Sequence, residues 1–222
     1  QVQSRGLGDV YKRQQKELTV LERLHKSLEA AVSVRAIELS DDERLTYVKP
    51  LQLITDKPVL YVCNVDESAA ATGNDYVDQV KTTVADENAQ VLVLAVATEA
   101  DINELDTYEE RQLFLEDLGL DEPGAAKLIR AAYTLLNLET YFTAGEKEVR
   151  AWTISAGATA PQAAGVIHTD FEKGFIRAEV ISYSVYDEYG SEQKVKEAGK
   201  ARVEGKDYIV QDGDVMHFRF NV

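Results

Sequence analysis

With 222 residues, 45% of them hydrophobic, the chain can build one large or two small packed domains and is too apolar to be disordered throughout. Its formal charge of −15 is uneven: residues 140–222 hold 13 acidic and 10 basic groups, whereas the rest hold 26 and 14. That balance excludes indiscriminate binding to nucleic acid, which needs a basic surface to displace counterions, so any such contact has to be local or shared with a ribosome's own proteins.

No run approaches the roughly 18 uninterrupted apolar residues of a membrane span. Polar and charged residues stand where a signal peptide would carry its apolar stretch. A cytoplasmic protein with no membrane partner is therefore the expectation. The single cysteine, Cys63, cannot form an internal disulfide, and within its apolar run it reads as a small buried hydrophobe.

Residues 1–14, QVQSRGLGDVYKRQ, show neither helical period nor alternation and read as a foreign or disordered leader outside the fold. From Gln15, the spacing of Leu18, Leu21, Leu28 and Val32 predicts an amphipathic helix paired with another helix, with His25 as a packing residue. Ser40 stands three residues before Glu43, a capping box that opens a short helix ending before Pro50. Val59–Cys63 and Val91–Val96 are continuous apolar runs, as in parallel strands covered on both faces. Between them Tyr76, Val77, Val80 and Val84 recur at helical spacing from Asn74 to Glu87, which completes a βαβ unit. Helices over Glu104–Leu118 and Pro123–Leu138 follow.

Beyond Leu138 the texture changes to short strands. Thr140–Thr143 and Glu148–Ile154 read as a hairpin, Gln162–Glu172 as a helix, and Ile176–Ile181, Arg202–Val210 and Val215–Phe220 as strands. A helix across a small mixed sheet in a segment of this size predicts a ubiquitin-like β-grasp. The fold class is thus α/β, a parallel sheet with helices followed by a β-grasp domain.

The run KPVLYVCNVDE (57–67) carries the chemistry, because an apolar strand ends there on a loop with Asn64 and Glu67 three apart. In GTPases the corresponding loop is Asn-Lys-x-Asp, whose Asp accepts hydrogen bonds from guanine's ring N–H and amine. Here Val65 stands at the Lys position and the longer Glu67 at the Asp position, so guanine selection should be weak or lost. By spacing alone, N-x-x-E after a strand is more often a plain strand-to-helix loop. Its context is Ala95-Val96-Ala97, one strand later, where GTPases carry a small-residue loop whose backbone supports the base.

No G-x-x-x-x-G-K-[ST] loop for the phosphates occurs in the sequence, and the nearest look-alike, Ala198-Gly199-Lys200-Ala201, lacks the first Gly and the closing Ser or Thr. Other candidates read as structural. His168 and Asp170 lie at a helix end with no nucleophile motif, and Asp212 and Asp214 flank a tight Asp-Gly turn. Lys194, Lys196, Lys200, Arg202 and Lys206, beside Tyr186, Tyr189 and Tyr208, offer an RNA-facing edge, though Glu192, Glu197 and Glu204 favour a solvated face.

From about residue 15 to Val222 the chain resembles the YchF-type Obg-like ATPases of the translation-factor-like GTPase superfamily. The resemblance is most specific in YFTAGEKEVRAWTI (141–154), APQAAGVIHTDFEKGFIRAEVI (160–181) and EGKDYIVQDGDVMHFRFNV (204–222). It implies that residues 15–139 are a partial G domain with the end of a helical insertion, and that residues 140–222 are a TGS domain. It further implies ATP as ligand, with Asn64 and Glu67 as the base-reading motif, Val65 beside the ring and Ala95, Val96 and Ala97 as the supporting loop. Val96 departs from the small residue usual there.

The implied partner is the ribosome, through its RNA or protein, and the implied role is a slow ATPase that regulates translation or a stress or redox response. The P-loop, the switch segments and the groups that order Mg²⁺ have no counterpart here, so Mg²⁺ is expected only with the intact family member. The expectation is a truncated chain with no catalytic or metal-ligating residue, which does not hydrolyse ATP alone. The alternative is a non-enzymatic TGS module that binds ribosome or RNA.

Overall fold

The computed structural model describes residues 2–87, 89–145 and 148–221, with side chains from Gly8 onward. It divides into two compact units, Gln1–Ala132 and Tyr133–Val222.

In the first unit, helix α1 runs from Val2 to Glu29. The segment expected to be an irregular leader is therefore helical from Val2 through Gln14, with Gln1 outside the described residues. Residues 8–14 are all exposed, and an exposed helical extension needs no apolar period once the helix is nucleated further along. The face that α1 buries also differs from expectation. Val20 and Leu24, one turn apart, are 1% and 3% exposed and pack with Val34 and Val48, while Leu18, Leu21, Leu28 and Val32 lie exposed. Periodicity finds apolar rows, and here the row with the larger side chains has no cover among the described residues.

Helix α2 (Asp41–Glu43) is a single turn with the expected Ser40 capping box. Strand β1 (Leu60–Asn64), helix α3 (Asp75–Thr83) and strand β2 (Gln90–Leu94) form the βαβ unit, with β1 and β2 parallel and Asn64 opposite Leu94. The Asn74 side chain caps α3 by accepting from the Tyr76 and Val77 N–H groups, both at 3.1 Å. The strands are not covered on both faces as their apolar runs suggested. Among the described residues the sheet has two strands, Val62 is 45% exposed, and Cys63 is only half-buried.

Helices α4 (Val96–Glu104), α5 (Tyr108–Asp117) and α6 (Gly124–Leu135) follow. The helix expected over Glu104–Leu118 begins only at Tyr108, and α4 ahead of it carried no predicted helix. Thr107 and Glu110 close a capping box that starts α5 afresh, and Arg111 donates twice to the Leu105 carbonyl across the break.

The second unit holds strands β3 (Leu138–Ala144), β4 (Val149–Ser155), β5 (Phe175–Ser182), β6 (Arg202–Glu204) and β7 (Asp214–Phe220) in spatial order β4-β3-β7-β5-β6. The first strand pairs antiparallel with the second and parallel with the last, which is the β-grasp arrangement. Helix α7 (Ala160–Ile167) lays Ala160, Ala163 and Ala164, all fully buried, onto the sheet. Alanines let it approach closely enough for the buried Tyr141 hydroxyl to donate to the Ala163 carbonyl at 2.9 Å.

Helix α8 (Thr169–Lys173) is separate because His168 breaks the predicted single helix and caps the next one, its Nδ1 accepting from the Asp170 N–H at 3.2 Å. Helices α9 (Tyr183–Tyr189) and α10 (Glu192–Glu197) occupy a stretch that carried no predicted element. The strand expected over Arg202–Val210 stops at Glu204, leaving only an isolated bridge between Ile209 and Thr159.

Candidate functional site

Asn64 is the last residue of β1, and Ala95 is the residue between β2 and α4. The two loops therefore meet at the carboxyl ends of adjacent parallel strands, where open α/β sheets hold their ligands. Asn64 Oδ1 accepts a hydrogen bond from the Val96 N–H at 3.1 Å, and the Val65 N–H donates to the Leu94 carbonyl at 2.8 Å. Val96 is thus the first residue of α4 rather than the end of a strand. Its N–H is one of the orphan donors of a helix start, and a side chain from the neighbouring strand satisfies it.

With Oδ1 engaged, the two N–H groups of the Asn64 amide have no partner among the described residues. They can donate to an acceptor such as N7 of a purine, which adenine and guanine share. Asn64 and Val65 also line a groove of about 440 Å³ with Asn74, Tyr76, Val77 and Val80. Ala95 is buried, Ala97 is exposed, and Val96 turns a 51% exposed side chain outward beside the Asn64 contact. Glu67 opens a single 3-10 turn (Glu67–Ala69) in which its carbonyl accepts from the Ala70 N–H, while its exposed carboxylate has no hydrogen-bond partner among the described residues. Its carboxylate can only accept, so it can take a proton donor such as the six-amine of adenine. The structure thus joins Asn64 to Val96 and Val65 to Leu94, while Glu67 and Ala97 lie beyond these two contacts.

Sequence reading missed the clamp behind this junction. Glu99, in the first turns of α4, accepts from the Gly124 N–H at 2.5 Å and the Ala125 N–H at 3.3 Å, so its carboxylate caps α6. A Cβ on Gly124 would lie 2.4 Å from Leu94 Cδ2 and 2.7 Å from Glu99 Oε1, so only glycine fits without displacement. The signal was present as a Glu in an early helix turn and a Pro-Gly helix start, but nothing in the spacing connects positions 99 and 124.

The remaining candidates are structural. Asp212 Oδ1 accepts from the Thr140 N–H at 2.8 Å, and Gly213, at φ +82°, donates to the Thr140 carbonyl at 2.7 Å. Asp214 is buried, accepting from the Tyr208 hydroxyl at 2.7 Å and the Gln211 N–H at 3.0 Å. Burial, and then the adjacent Asp214, push the Tyr208 hydroxyl up to about 12. Arg202 stacks over Tyr208 and pairs with Asp214, and Lys196 pairs with Glu179 and Glu192, so two of the five cations of the expected RNA-facing edge are tied down. Among the described residues no cluster of His, Cys, Asp and Glu could hold a metal ion.

A family model described as YchF-GTPase_C, protein of unknown function (DUF933), matches residues 138–221. The ribosome-binding ATPase YchF of Haemophilus influenzae is 56% identical over 206 residues, covering 93% of this chain and 56% of that relative. The protein of the same name from Escherichia coli O157:H7 is 57% identical with the same coverage. The solved structure of the Schizosaccharomyces pombe YchF GTPase superimposes with a TM-score of 0.81 at 34% identity, covering 94% of this chain and 55% of that one.

This chain belongs to the YchF family. It spans 56% of the length of the YchF relatives it matches. The bacterial YchF relatives are named as ATPases and the fission-yeast YchF as a GTPase.

Proposed function

We propose that these 222 residues supply the base-reading side of an ATP site, in residues 15–139, and a TGS-type β-grasp unit, in residues 140–222, that docks on the ribosome through its RNA or protein. The protein is a cytoplasmic, translation- or stress-linked regulator of YchF type. One observation carries the nucleotide half: the 3.1 Å hydrogen bond from the Val96 N–H to Asn64 Oδ1, which couples the two loops and presents the Asn64 amide donors to a ligand.

In this reading Asn64 holds the purine at N7, Val65 lies against the ring, and the loop Ala95–Ala97 supports its edge, the Val96 N–H being already given to Asn64. Asn64 does not distinguish the two purines. Selection falls to Glu67, whose carboxylate accepts from the adenine amine and is repelled by guanine's six-oxygen. ATP supplies a phosphoanhydride, and no G-x-x-x-x-G-K-[ST] loop in these residues cradles it. The chain by itself is expected to bind ATP without releasing phosphate.

Titration of ATP and GTP into the chain by calorimetry tests the reading, with Asn64→Ala and Glu67→Asp beside it. The expected result is measurable ATP affinity with preference over GTP, lost in Asn64→Ala. No ATP affinity with retained co-sedimentation on ribosomes would leave the second reading, a non-enzymatic β-grasp binding module. The self-contained core of the second unit favours that module as a body able to act without nucleotide.

A further inference from the structure

The sheet of the second unit ends on two edge strands, and they are built differently. Strand β6 is three residues long with Arg202 and Glu204 at its ends, a short charged edge of the kind that discourages pairing. Strand β4 runs for seven residues with one charged side chain and no proline, and its register with β3 is unbroken. Val149 on it is 72% exposed, and Ala151 and Thr153 are exposed as well.

The hairpin register says which backbone groups of β4 are free. The Gly145 N–H donates to the Glu148 carbonyl at 2.9 Å, and the Ala156 N–H donates to the Asn137 carbonyl at 2.8 Å. Hydrogen-bonded pairs alternate along an antiparallel ladder, so between these two ends Arg150, Trp152 and Ile154 face β3 with their N–H and C=O groups. Those of Val149, Ala151 and Thr153 point away from the sheet, and no strand takes them among the described residues.

A groove of about 600 Å³ lies beside the end of this edge, lined by Ile154, Ala158, Gln162, Gly165, Val166 and Glu172. Glu172 packs so closely on Gly165 that a Cβ there would come within 2.5 Å of its Oε2. Its exposed carboxylate has no hydrogen-bond or ion-pair partner among the described residues. Arg150, the one cation of β4, leaves the sheet on the same face as Ile154. Its guanidinium stacks over Trp152 at 4.1 Å and meets Glu148 only at 4.0 Å.

We propose that β4 is a self-association edge, on which two copies of this chain pair their β4 strands antiparallel about a two-fold axis at Trp152. In that register Val149 lies opposite the partner's Ser155, Ala151 opposite the partner's Thr153 and Arg150 opposite the partner's Ile154, so no like charges meet. The outward groups of Val149, Ala151 and Thr153 supply the new ladder. Arg150 and Trp152 then occupy its non-hydrogen-bonded positions, where side chains of the two strands stand closest. Each Arg150 thereby reaches the partner's groove and its unpaired Glu172. A foreign strand could fill the backbone ladder equally well, but a second copy brings its own cation to that carboxylate. Such an isologous contact uses up the edge of both copies and closes at a dimer. One strand pair is small beside the roughly 1,600 Å² of a standard interface, so micromolar rather than nanomolar association is expected.

The experiment is sedimentation velocity of the whole chain from about 5 to about 200 µM, a range that brackets such an affinity. It compares wild type, Thr153→Pro, Arg150→Glu, Glu172→Arg and the exchanged pair Arg150→Glu/Glu172→Arg, with far-UV circular dichroism confirming that each variant is folded. Proline at position 153 removes an N–H that β3 does not use, so it should keep the fold and abolish the dimer. Each single charge reversal should weaken dimerisation about tenfold, and the exchanged pair should recover most of that loss. Recovery is the outcome that a merely structural role for either residue would not give. A wild type that stays monomeric throughout leaves the edge to a foreign strand and overturns the proposal. So does dimerisation of Thr153→Pro at wild-type strength, an exchanged pair no better than the single reversals, or growth beyond the dimer.

Discussion

The two units bury their sheets differently. In the second, Tyr141, Ala163, Ala164, Ala178, Val180 and Val210 are fully buried around a five-stranded sheet. In the first, the most buried apolar cluster lies between α1 and the short helical turns carrying Val34 and Val48, while β1 and β2 form a two-stranded sheet with Val62 exposed. Isolated two-stranded pairings are marginal, whereas a sheet of three or more strands packed on a helix stands alone. The difference teaches that the candidate purine junction is built on the less self-sufficient body, and that its geometry depends on local clamps rather than on a deep core.

The largest test of that contrast is Tyr141→Ala, which removes a buried ring and its hydroxyl contact and should cost about 3–5 kcal/mol. The only tryptophan, Trp152, lies in the second unit, so its fluorescence in a urea melt reads that unit alone. A midpoint unchanged from wild type would mean that the core is not the source of its stability. Next in size is Gly124→Ala, whose new methyl must displace Leu94 or Glu99 and should cost about 1–3 kcal/mol. It should weaken ATP binding through the α4 clamp and leave the Trp152 melt in place. An effect on the Trp152 melt alone would contradict the clamp.

Glu67→Asp should shift preference from ATP toward GTP by about tenfold, the scale of one charged hydrogen bond, without altering either melt. Calorimetric affinities that move together for both nucleotides would show that Glu67 does not choose.

Acid gives the smallest and most distributed effect. Arg35, with Tyr61, holds the Glu87 carboxyl below its ordinary value in the first unit, and Lys196, then Arg219, does the same for Glu179 in the second. A depressed carboxylate stabilises above its unfolded pKa and loses that contribution as the pH falls through its folded one. Stability of both units should therefore decline on acidification below about 4.5, the ordinary glutamate value. Arg35→Met should blunt the decline in the first unit only, read by far-UV circular dichroism beside Trp152 fluorescence.

Much of this was legible in local sequence. The βαβ order, the capping box at Ser40 and the β-grasp strands follow from periodicity and turn residues. The break at Thr107 was equally local, as a Thr three residues before a Glu, yet the apolar pattern running across it masked the signal. Asn64 and the loop Ala95–Ala97 were nameable as candidates because each ends an apolar run.

Which face α1 buries was not legible, since Leu18 and Val20 are equally apolar and only the partner segment around Val34 and Val48 chooses between their rows. Nor were the joining of Asn64 to Val96 or the cap of Glu99 on Gly124. By itself the sequence determined element types, caps and turns, because those depend on residues within a few positions of one another. The tertiary structure alone decided which distant groups meet, because strand register and helix packing set those distances and no pattern along the chain encodes them.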